Sequence, residues 1–219
     1  MKKRAAVYVD AFNLYYAIVE IGKPHYKWLK LWKLSENIIP SKDEDLVKVA
    51  FCSAYTGDTG QRSRHEKYVK ALEALGVECV MGHYVREPTD CRNCGRTWNK
   101  STEKETDINV ALSIYDDAHQ GVFDHAYLIS ADSDQAATAR MFESRFPNKR
   151  LVAVSPPGRP HSQHILKYAH SKISLNEDHL DRAVLPGVVT APSGAIVLRP
   201  IEYAPPDGWV PFDQRPKKT

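Results

Sequence analysis

Residues 5–19 read AAVYVDAFNLYYAIV, and this stretch decides the fold. Its first five residues form a short apolar run of the kind found in buried strands, and Asp10 ends that run. From Asn13 to Val19 the apolar residues recur at helical spacing until Gly22 stops the pattern. The stretch therefore predicts a strand that passes almost directly into a helix.

The same alternation continues through most of the chain. Further strands are predicted at 46–55, 77–84, 126–130 and 150–155, and further helices at 62–75, 106–120 and 134–146. The strands are continuous apolar runs, and the connections between elements are short. Such a pattern predicts an α/β fold, with a mainly parallel sheet covered by helices on both faces.

The helix after residue 105 carries two specific expectations. Thr106 is its candidate N-cap, which places Asp107 in the first turn. Its apolar residues at i, i+3, i+4 and i+7 are Ile108, Ala111, Leu112 and Tyr115, which predicts that this stripe is the buried face.

Composition and charge bound the class of protein. With 219 residues, 42% hydrophobic and 26% charged, the chain suits one globular domain with a terminal extension and not a disordered or collagen-like protein. The net charge of +3 says little about partners. No apolar run approaches the roughly 20 residues of a membrane span, and no signal-peptide core follows the first residues, so we expect no membrane association and a cytoplasmic location.

Two segments depart from the regular pattern. Residues 85–104 show neither the periodicity of a helix nor that of a strand, which predicts an excursion loop or a small hairpin around Cys91 and Cys94. Seven of the 14 prolines lie in the last 34 residues. We therefore predict a domain over residues 1–182 and an extended, Pro-rich tail over 183–219, which could exchange between two copies in a homodimer.

Four aspartates are expected at one edge of the sheet. Asp10 ends the first strand, Asp132 and Asp134 follow the strand at 126–130, and Asp107 begins the helix before it. Ligand sites of open α/β sheets lie at the carboxyl ends of the strands. Converging carboxylates repel one another unless some are protonated or a cation lies among them, and a divalent ion fits best. Hard oxygen ligands favour Mg²⁺ or Mn²⁺, which support phosphodiester hydrolysis. The plainer interpretation is that each aspartate only caps a helix or turn.

The three segments that contain these aspartates resemble one protein family. Residues 7–16 (VYVDAFNLYY), 106–111 (TDINVA) and 128–134 (LISADSD) resemble the NYN domain family of PIN-like ribonucleases, within it the LabA/DUF88 subgroup. The likeness covers roughly residues 4–175, includes the CRNCGRTW loop at 91–98 and excludes the Pro-rich tail. Ala131 stands where the pattern commonly has Gly.

The resemblance implies a fold, an activity and a set of site residues. The fold would be a PIN-like three-layer α/β/α sandwich, and the activity Mg²⁺- or Mn²⁺-dependent cleavage of RNA. Asp10, Asp107 and Asp132 would be metal ligands. Asp134 would hold the metal-bound water or a second ion, and Asn13 would orient Asp10 or the scissile phosphate.

Outside the aspartates, a few side chains are candidates for binding. Cys91 and Cys94 have the spacing of half a zinc site, which His83 or a second subunit could complete, although a simple turn explains them too. Arg159, beside a predicted helix start, is a candidate phosphate contact. Arg62 and Arg64 are candidates for RNA binding or a solvated helix face.

Aromatic residues near the first helix admit two interpretations. Tyr15, Tyr16, Trp28 and Trp32 could stack on RNA bases, or they could be core residues at helical spacing. The sequence leaves this choice open.

The leading functional hypothesis is a metal-dependent ribonuclease. A non-catalytic RNA- or protein-binding regulator with the same fold is the alternative, and a phosphatase for small phosphate esters is a third candidate. Motifs of P-loop nucleotide triphosphatases, dinucleotide dehydrogenases and α/β-hydrolases are absent from the sequence.

Overall fold

A seven-stranded sheet forms the centre of the protein in the computed structural model, which describes residues 2–216. Residue 1 and residues 217–219, the outer ends of the two predicted segments, lie outside the described part. The strands are β1 (Lys3–Asp10), β2 (Glu44–Ala54), β3 (Glu78–Asp90), β4 (Thr97–Lys104), β5 (His125–Ile129), β6 (Arg150–Ser155) and β7 (Ser171–Ser174). Their order across the sheet is β4-β3-β2-β1-β5-β6-β7, and all neighbours are parallel except β3 and β4.

Helices cover both faces of this sheet. They are α1 (Ala11–Ile21), α2 (Leu31–Glu36), α3 (Thr59–Ala74), α4 (Thr106–His119), α5 (Ala136–Arg145), α6 (Gln163–Leu166) and α7 (Glu177–Asp181). Short 3₁₀ turns lie at Pro24–Lys27, Ser133–Gln135, Ile201–Tyr203 and Phe212–Gln214. The predicted α/β fold class with a mainly parallel central sheet is confirmed.

Alternating residues of β1 supply the two cores. Val7 and Val9 face the core under α1, α2 and α3, whereas Ala6 and Tyr8 face the core under α4 and α5. All four side chains are fully buried. Because both faces of this central strand are covered, its sequence is a continuous apolar run instead of an alternating one.

The start of α4 differs from the prediction. Thr106 is the first helical residue, not the N-cap, and Glu105 precedes it with a φ of 80°. The Oε1 atom of Glu103 accepts hydrogen bonds from the backbone N–H and the hydroxyl of Thr106, at 2.8 and 2.5 Å. The carboxylate of Glu103 thus does the work expected of a capping side chain.

The buried face of α4 also differs. Val110, Ile114 and Ala118 are buried, whereas Ile108 and Leu112 are each 60% exposed. The helix carries two apolar stripes, and the packing against β1 and β2 selects the one that also brings Asp117 to Lys48. Helical periodicity alone does not distinguish the two stripes.

The segment 85–104 is a β-hairpin, as one of the two predicted alternatives has it. β3 continues to Asp90, and β4 returns antiparallel to it, with His83 opposite Lys104 at the base and Asp90 opposite Thr97 at the tip. Because β3 is joined to β2 through its first half only, the second half of the hairpin projects beyond the parallel sheet.

The Pro-rich tail packs on its own chain. Within it β8 (Val188–Thr190) and β9 (Ile196–Leu198) form a second, two-stranded sheet. Leu185 is buried beside Trp28, and Asp181 accepts hydrogen bonds from Trp209 and Arg215. A tail held in this way gives no support to the predicted homodimer.

None of the helices in residues 2–216 is both long enough and apolar enough to cross a membrane.

Candidate active site

Asp10 lies at the carboxyl end of β1 and caps α1. Its Oδ1 atom accepts the backbone N–H of Asn13 at 3.0 Å, which satisfies one of the free N–H groups at the helix start. Its Oδ2 atom accepts the hydroxyl of Ser130 at 2.8 Å. The residue is only 3% exposed, so the carboxylate is fixed in a nearly dry position.

Asn13 links the first strand to the end of β5. Its Oδ1 atom accepts the backbone N–H of Ala131 at 2.9 Å. The spacing Asp10-x-x-Asn13 therefore serves two purposes: the main chain of Asn13 orients Asp10, and its side chain positions the segment that leads to Asp132. The methyl group of Ala131 does not disturb this contact.

Asp132 and Asp107 approach the same edge from two other segments. Asp132 caps the 3₁₀ turn at Ser133–Gln135, where its Oδ1 atom accepts the N–H of Asp134 at 3.0 Å. Asp107 lies in the first turn of α4, and its Oδ1 atom accepts the side-chain N–H of Gln135 at 3.3 Å. Gln135, which is buried, thus ties the two segments together.

A cavity of about 580 Å³ opens over these residues. Its polar lining comprises Asp10, Asn13, Glu103, Thr106, Asp107, Asp132 and Arg159. Three of the four predicted aspartates are brought together there. Asp134 is exposed and does not line the cavity, and it reaches the site through its backbone N–H and its charge.

Glu103 is a fourth carboxylate at this cavity that the sequence did not predict. It lies near the end of β4, and the register of the hairpin carries it to the start of α4. The signal in the sequence is a Glu three residues before Thr106, a spacing that suits capping of a helix N-terminus. Residues 85–104 have no clear helical or strand periodicity, so the sequence alone does not indicate that this glutamate reaches the cavity.

Burial, together with neighbouring carboxylates, shifts the pKa values of two carboxyl groups at this cavity. Burial raises the pKa of Asp10 to about 6, and the charges of Asp107 and Asp132 add to the rise, against the hydrogen bonds from Asn13 and Ser130. Burial raises the pKa of Asp107 as well, with further contributions from Asp132 and Glu103. The site therefore holds more negative charge than its surroundings neutralise.

The donor set suits a hard divalent cation. Carboxylate oxygens are the ligands that Mg²⁺ and Mn²⁺ prefer, and no sulfur or imidazole donor is among the residues that line the cavity. In the arrangement of residues 2–216, however, no three His, Cys, Asp or Glu side chains are gathered closely enough to hold an ion. The carboxylates share one cavity without converging on one point.

Of the predicted RNA contacts, Arg159 lies at the carboxylate cavity and the two arginines of α3 lie elsewhere. Arg159 lines the cavity while its Nη2 atom pairs with Glu20 at 2.6 Å. Arg62 pairs with Glu66 one turn along α3, as expected of a solvated helix face. Arg64 pairs with Glu202 of the tail at 3.1 Å, a long-range contact that local sequence does not predict.

Cys91 and Cys94 lie in the turn of the β3–β4 hairpin. Hydrogen bonds from the backbone N–H groups of Asn93 and Cys94 lower the pKa of the half-buried Cys91 thiol. His83 stands at the other end of the hairpin, where it pairs with Glu105 at 3.1 Å. The structure does not bring His83 together with these cysteines, because the length of the hairpin separates them. Completion of a zinc site by a second subunit stays a prediction.

A second, aromatic cavity of about 330 Å³ adjoins the first. Phe12, Tyr16 and Tyr84 line both cavities, and Tyr15 lines the aromatic one. Trp28 is fully buried under the tail, as expected of a core residue. Tyr15 and Tyr16 of α1, by contrast, are exposed and line the aromatic cavity, so both are available to a ligand.

The fold and the site together define a class of protein. A mainly parallel sheet between two helical layers, with carboxylates from separate segments at its carboxyl edge, is consistent with a PIN-like α/β domain. Residues 4–173 match the NYN domain, and the chain belongs to the NYN domain family, a PIN-like nuclease family. The family prediction is confirmed, and the LabA/DUF88 subgroup stays a prediction.

Two individual proteins are similar to this chain. The 6-hydroxy-3-succinoylpyridine 3-monooxygenase HspA of Pseudomonas putida (strain DSM 28022 / S16) is 27% identical over 228 residues, which cover 85% of this chain and 71% of that protein. A crystal structure of a protein of unknown function from Vibrio parahaemolyticus RIMD 2210633 has a TM-score of 0.53 and 20% identity, and the match covers 81% of this chain and 95% of that one. The second likeness concerns the fold alone.

Proposed function

We propose that this protein is a ribonuclease that depends on Mg²⁺ or Mn²⁺ and hydrolyses RNA phosphodiester bonds. The observation that carries the proposal is the environment of the Asp10 carboxylate. It is buried, its described hydrogen bonds come from Ser130 and the N–H of Asn13, and it opens towards a cavity lined by further carboxylates. A carboxylate kept dry without a basic partner is expected at a site that receives a cation from solution.

Asp10, Asp107 and Asp132 would share the cation with water molecules, because Mg²⁺ keeps several of its waters and does not need three carboxylates at one point. Glu103 lines the same cavity and would add to its negative charge. When bound, the cation would polarise a phosphoryl oxygen and supply an acidic water molecule for attack on phosphorus. Ser130 and Asn13 keep Asp10 in place for this purpose. Asp134, whose charge contributes to the raised pKa of Asp107, remains the candidate for a water molecule or a second ion.

Arg159 is the proposed contact for the RNA phosphate. It lines the same cavity as the carboxylates, and its pairing with the exposed Glu20 is a surface ion pair that costs little to break. A bidentate bond from the guanidinium to a phosphate is stronger than such a pair.

The test is cleavage of an end-labelled single-stranded RNA with Mn²⁺, with Mg²⁺ or with EDTA. We expect cleavage with either metal and none with EDTA. Asp10→Asn and Asp132→Asn should each lower the rate by about 10²-fold or more, since each removes a ligand that supports the transition state. Asp207→Asn, an exposed carboxylate of the tail, is the matched control and should leave the rate unchanged.

Three outcomes separate the alternatives. RNA binding without turnover in any metal favours the non-catalytic regulator. Turnover of an aryl phosphate without turnover of RNA favours a phosphatase. Cleavage that is equal in both aspartate variants and the native protein contradicts the proposed site.

A second candidate function is oxidation of a small heteroaromatic molecule. The relative from Pseudomonas putida is named as a monooxygenase of a substituted pyridine, and the aromatic cavity beside the carboxylates is of a size for one ring. A monooxygenase consumes dioxygen and two electrons, so NADH consumption in air with 6-hydroxy-3-succinoylpyridine is the test. Substrate-dependent NADH oxidation without RNA cleavage would favour this function.

Zinc at Cys91 and Cys94 is a separate, minor proposal. The lowered pKa of Cys91 favours a thiolate, but two further ligands must come from outside the hairpin turn. Purified protein should then contain zinc that Cys91→Ser loses. Equal zinc content in the native protein and the variant, or none in either, removes the idea.

A further inference from the structure

The aromatic cavity adjoins the carboxylate cavity and shares three lining residues with it. Phe12 lies between Asp10 and Asn13 in the sequence, and with Tyr16 and Tyr84 it forms the boundary that the two cavities share. Tyr16 is 55% exposed, and its ring is stacked with that of Phe12 at 6.4 Å. Aromatic rings that stay exposed at the mouth of a cavity leave their faces free for a ligand.

A pair of polar side chains lies deeper in this cavity. The Oγ atom of Ser53, which is buried, lies 3.1 Å from Nε2 of His65. Burial lowers the pKa of His65 to about 4, so the imidazole is neutral at pH 7 and presents hydrogen-bonding atoms without a charge. Such a pair suits the polar edge of a ring that is otherwise apolar on both faces.

The tail and Lys27 complete the walls. Tyr203 of the tail lines the cavity, and Arg64 of α3 holds this part of the tail through Glu202 and Tyr203. The Nζ atom of Lys27 lies 5.4 Å from the ring centre of Tyr15 and 5.8 Å from that of Tyr203. Arg64, predicted as an RNA contact, is thus a positioning residue for one aromatic wall.

We propose that the aromatic cavity binds a flat heteroaromatic ring, with one ring face against Tyr16 and the polar ring edge towards Ser53 and His65. On the proposed ribonuclease function, this ring is an unpaired nucleobase of the strand whose phosphate lies at the carboxylates. The volume of about 330 Å³ is at the lower end of ligand pockets, as expected for one ring with its sugar. Stacking on tyrosine accepts every base, so this cavity selects for single-stranded RNA.

The experiment measures binding in EDTA, where turnover is absent, so its failure is distinct from failure of the proposed function. The probes are a single-stranded RNA hexamer containing 2-aminopurine, free 2-aminopurine riboside, and a hexamer of the same length without bases, whose binding is measured by competition with the fluorescent hexamer. We expect 2-aminopurine fluorescence to fall on binding as the ring stacks. Tyr16→Ala and Tyr84→Leu, which alter different parts of the wall, should each weaken binding by about tenfold or more.

Phe212→Ala is the matched control, because Phe212 is an exposed aromatic residue of the tail outside this cavity. It should bind the probes as the native protein does. A hexamer that binds more tightly than the riboside identifies the ring as a base of RNA, whereas a tighter riboside identifies a free ligand. Equal binding of hexamers with and without bases, together with no binding of the riboside, overturns the proposal, as do unchanged affinities in both cavity variants.

Discussion

Asp10 and Asp117 are two buried aspartates with opposite surroundings. They are 3% and 4% exposed, and both are tied to β1, one as its last residue and the other through the hydroxyl of Tyr8 at 2.7 Å. Asp117 also pairs with Lys48, whose Nζ atom lies 2.7 Å away. Asp10 receives hydrogen bonds from neutral groups alone among the described residues, and it faces further carboxylates.

This difference indicates that Asp117 has a structural role, whereas Asp10 is suited to a role in the candidate active site. Burial disfavours the charge of Lys48, but its hydrogen bonds to Asp117 and Glu78 outweigh this and raise its pKa, so the ion pair is complete within the chain. Burial also raises the pKa of Asp10, but for a carboxyl group this disfavours the charged form, and no basic group offsets the effect. Asp117 has a lysine of the same chain as its partner, whereas Asp10 has none. The negative charge of Asp10 is therefore free to bind a cation from solution.

The largest expected effect comes from removing the internal cation. Lys48→Met leaves Asp117 buried beside Tyr8 without its basic partner, so we expect the free energy of unfolding to fall by about 3 kcal/mol. Urea unfolding at pH 7 measures it. Lys70→Met on the exposed face of α3 is the control and should change stability by less than about 0.5 kcal/mol. A loss for Lys48→Met as small as the control's would mean that Asp117 needs no cation.

Asp10→Asn should act in the opposite direction. A carboxyl group whose pKa is raised in the folded state favours folding while it is protonated, and this contribution is lost as the pH rises from about 4 through 6. The neutral amide avoids that loss. In EDTA we therefore expect the variant to be more stable than the native protein by about 1–2 kcal/mol at pH 7.5, and no more stable at pH 4.

Urea unfolding at the two pH values measures this difference. Asp117→Asn is the informative partner variant, because it leaves Lys48 without its buried carboxylate and should destabilise the protein at pH 7.5. If both aspartate variants destabilise equally at that pH, Asp10 is structural as well, and the contrast between the two residues disappears.

Asn13→Ala should have the smallest effect on stability and still alter the site. It deprives the N–H of Ala131 of its acceptor, at a cost of about 1 kcal/mol, while the main-chain bond from residue 13 to Asp10 remains. We expect RNA cleavage to fall about tenfold through misplacement of Asp132. Thermal unfolding and the cleavage assay measure the two effects, and an unchanged cleavage rate would show that the position of Asp132 does not depend on Asn13.

Most of the parallel sheet could be predicted because its strands are apolar runs that end at polar residues. The convergence of Asp10, Asp107 and Asp132 on one cavity followed from the rule that sites lie at the carboxyl ends of parallel strands. Glu103 could not be found in this way, since its position depends on the register between β3 and β4. The pairing of Arg64 with Glu202 of the tail could not be predicted for the same reason, because the two residues are far apart in the sequence.

The buried face of α4 shows where periodicity fails. Ile108 and Leu112 have the right spacing for a core, yet they are exposed, because the helix is rotated to bury Val110, Ile114 and the carboxylate of Asp117. A buried aspartate on an apolar face contradicts any hydrophobicity pattern. Its position makes sense only once Lys48 and Tyr8 are known to meet it.

Binding of Mn²⁺ by the purified protein at pH 7.5 tests the central claim most directly. Electron paramagnetic resonance of free Mn²⁺ in a titration counts the ions bound. We predict that the native protein and Asp207→Asn bind at least one ion per chain, and that Asp10→Asn and Asp132→Asn each lose it. Native protein that leaves all Mn²⁺ free, or aspartate variants that bind as the native protein does, would contradict a metal site at the carboxyl edge of the sheet.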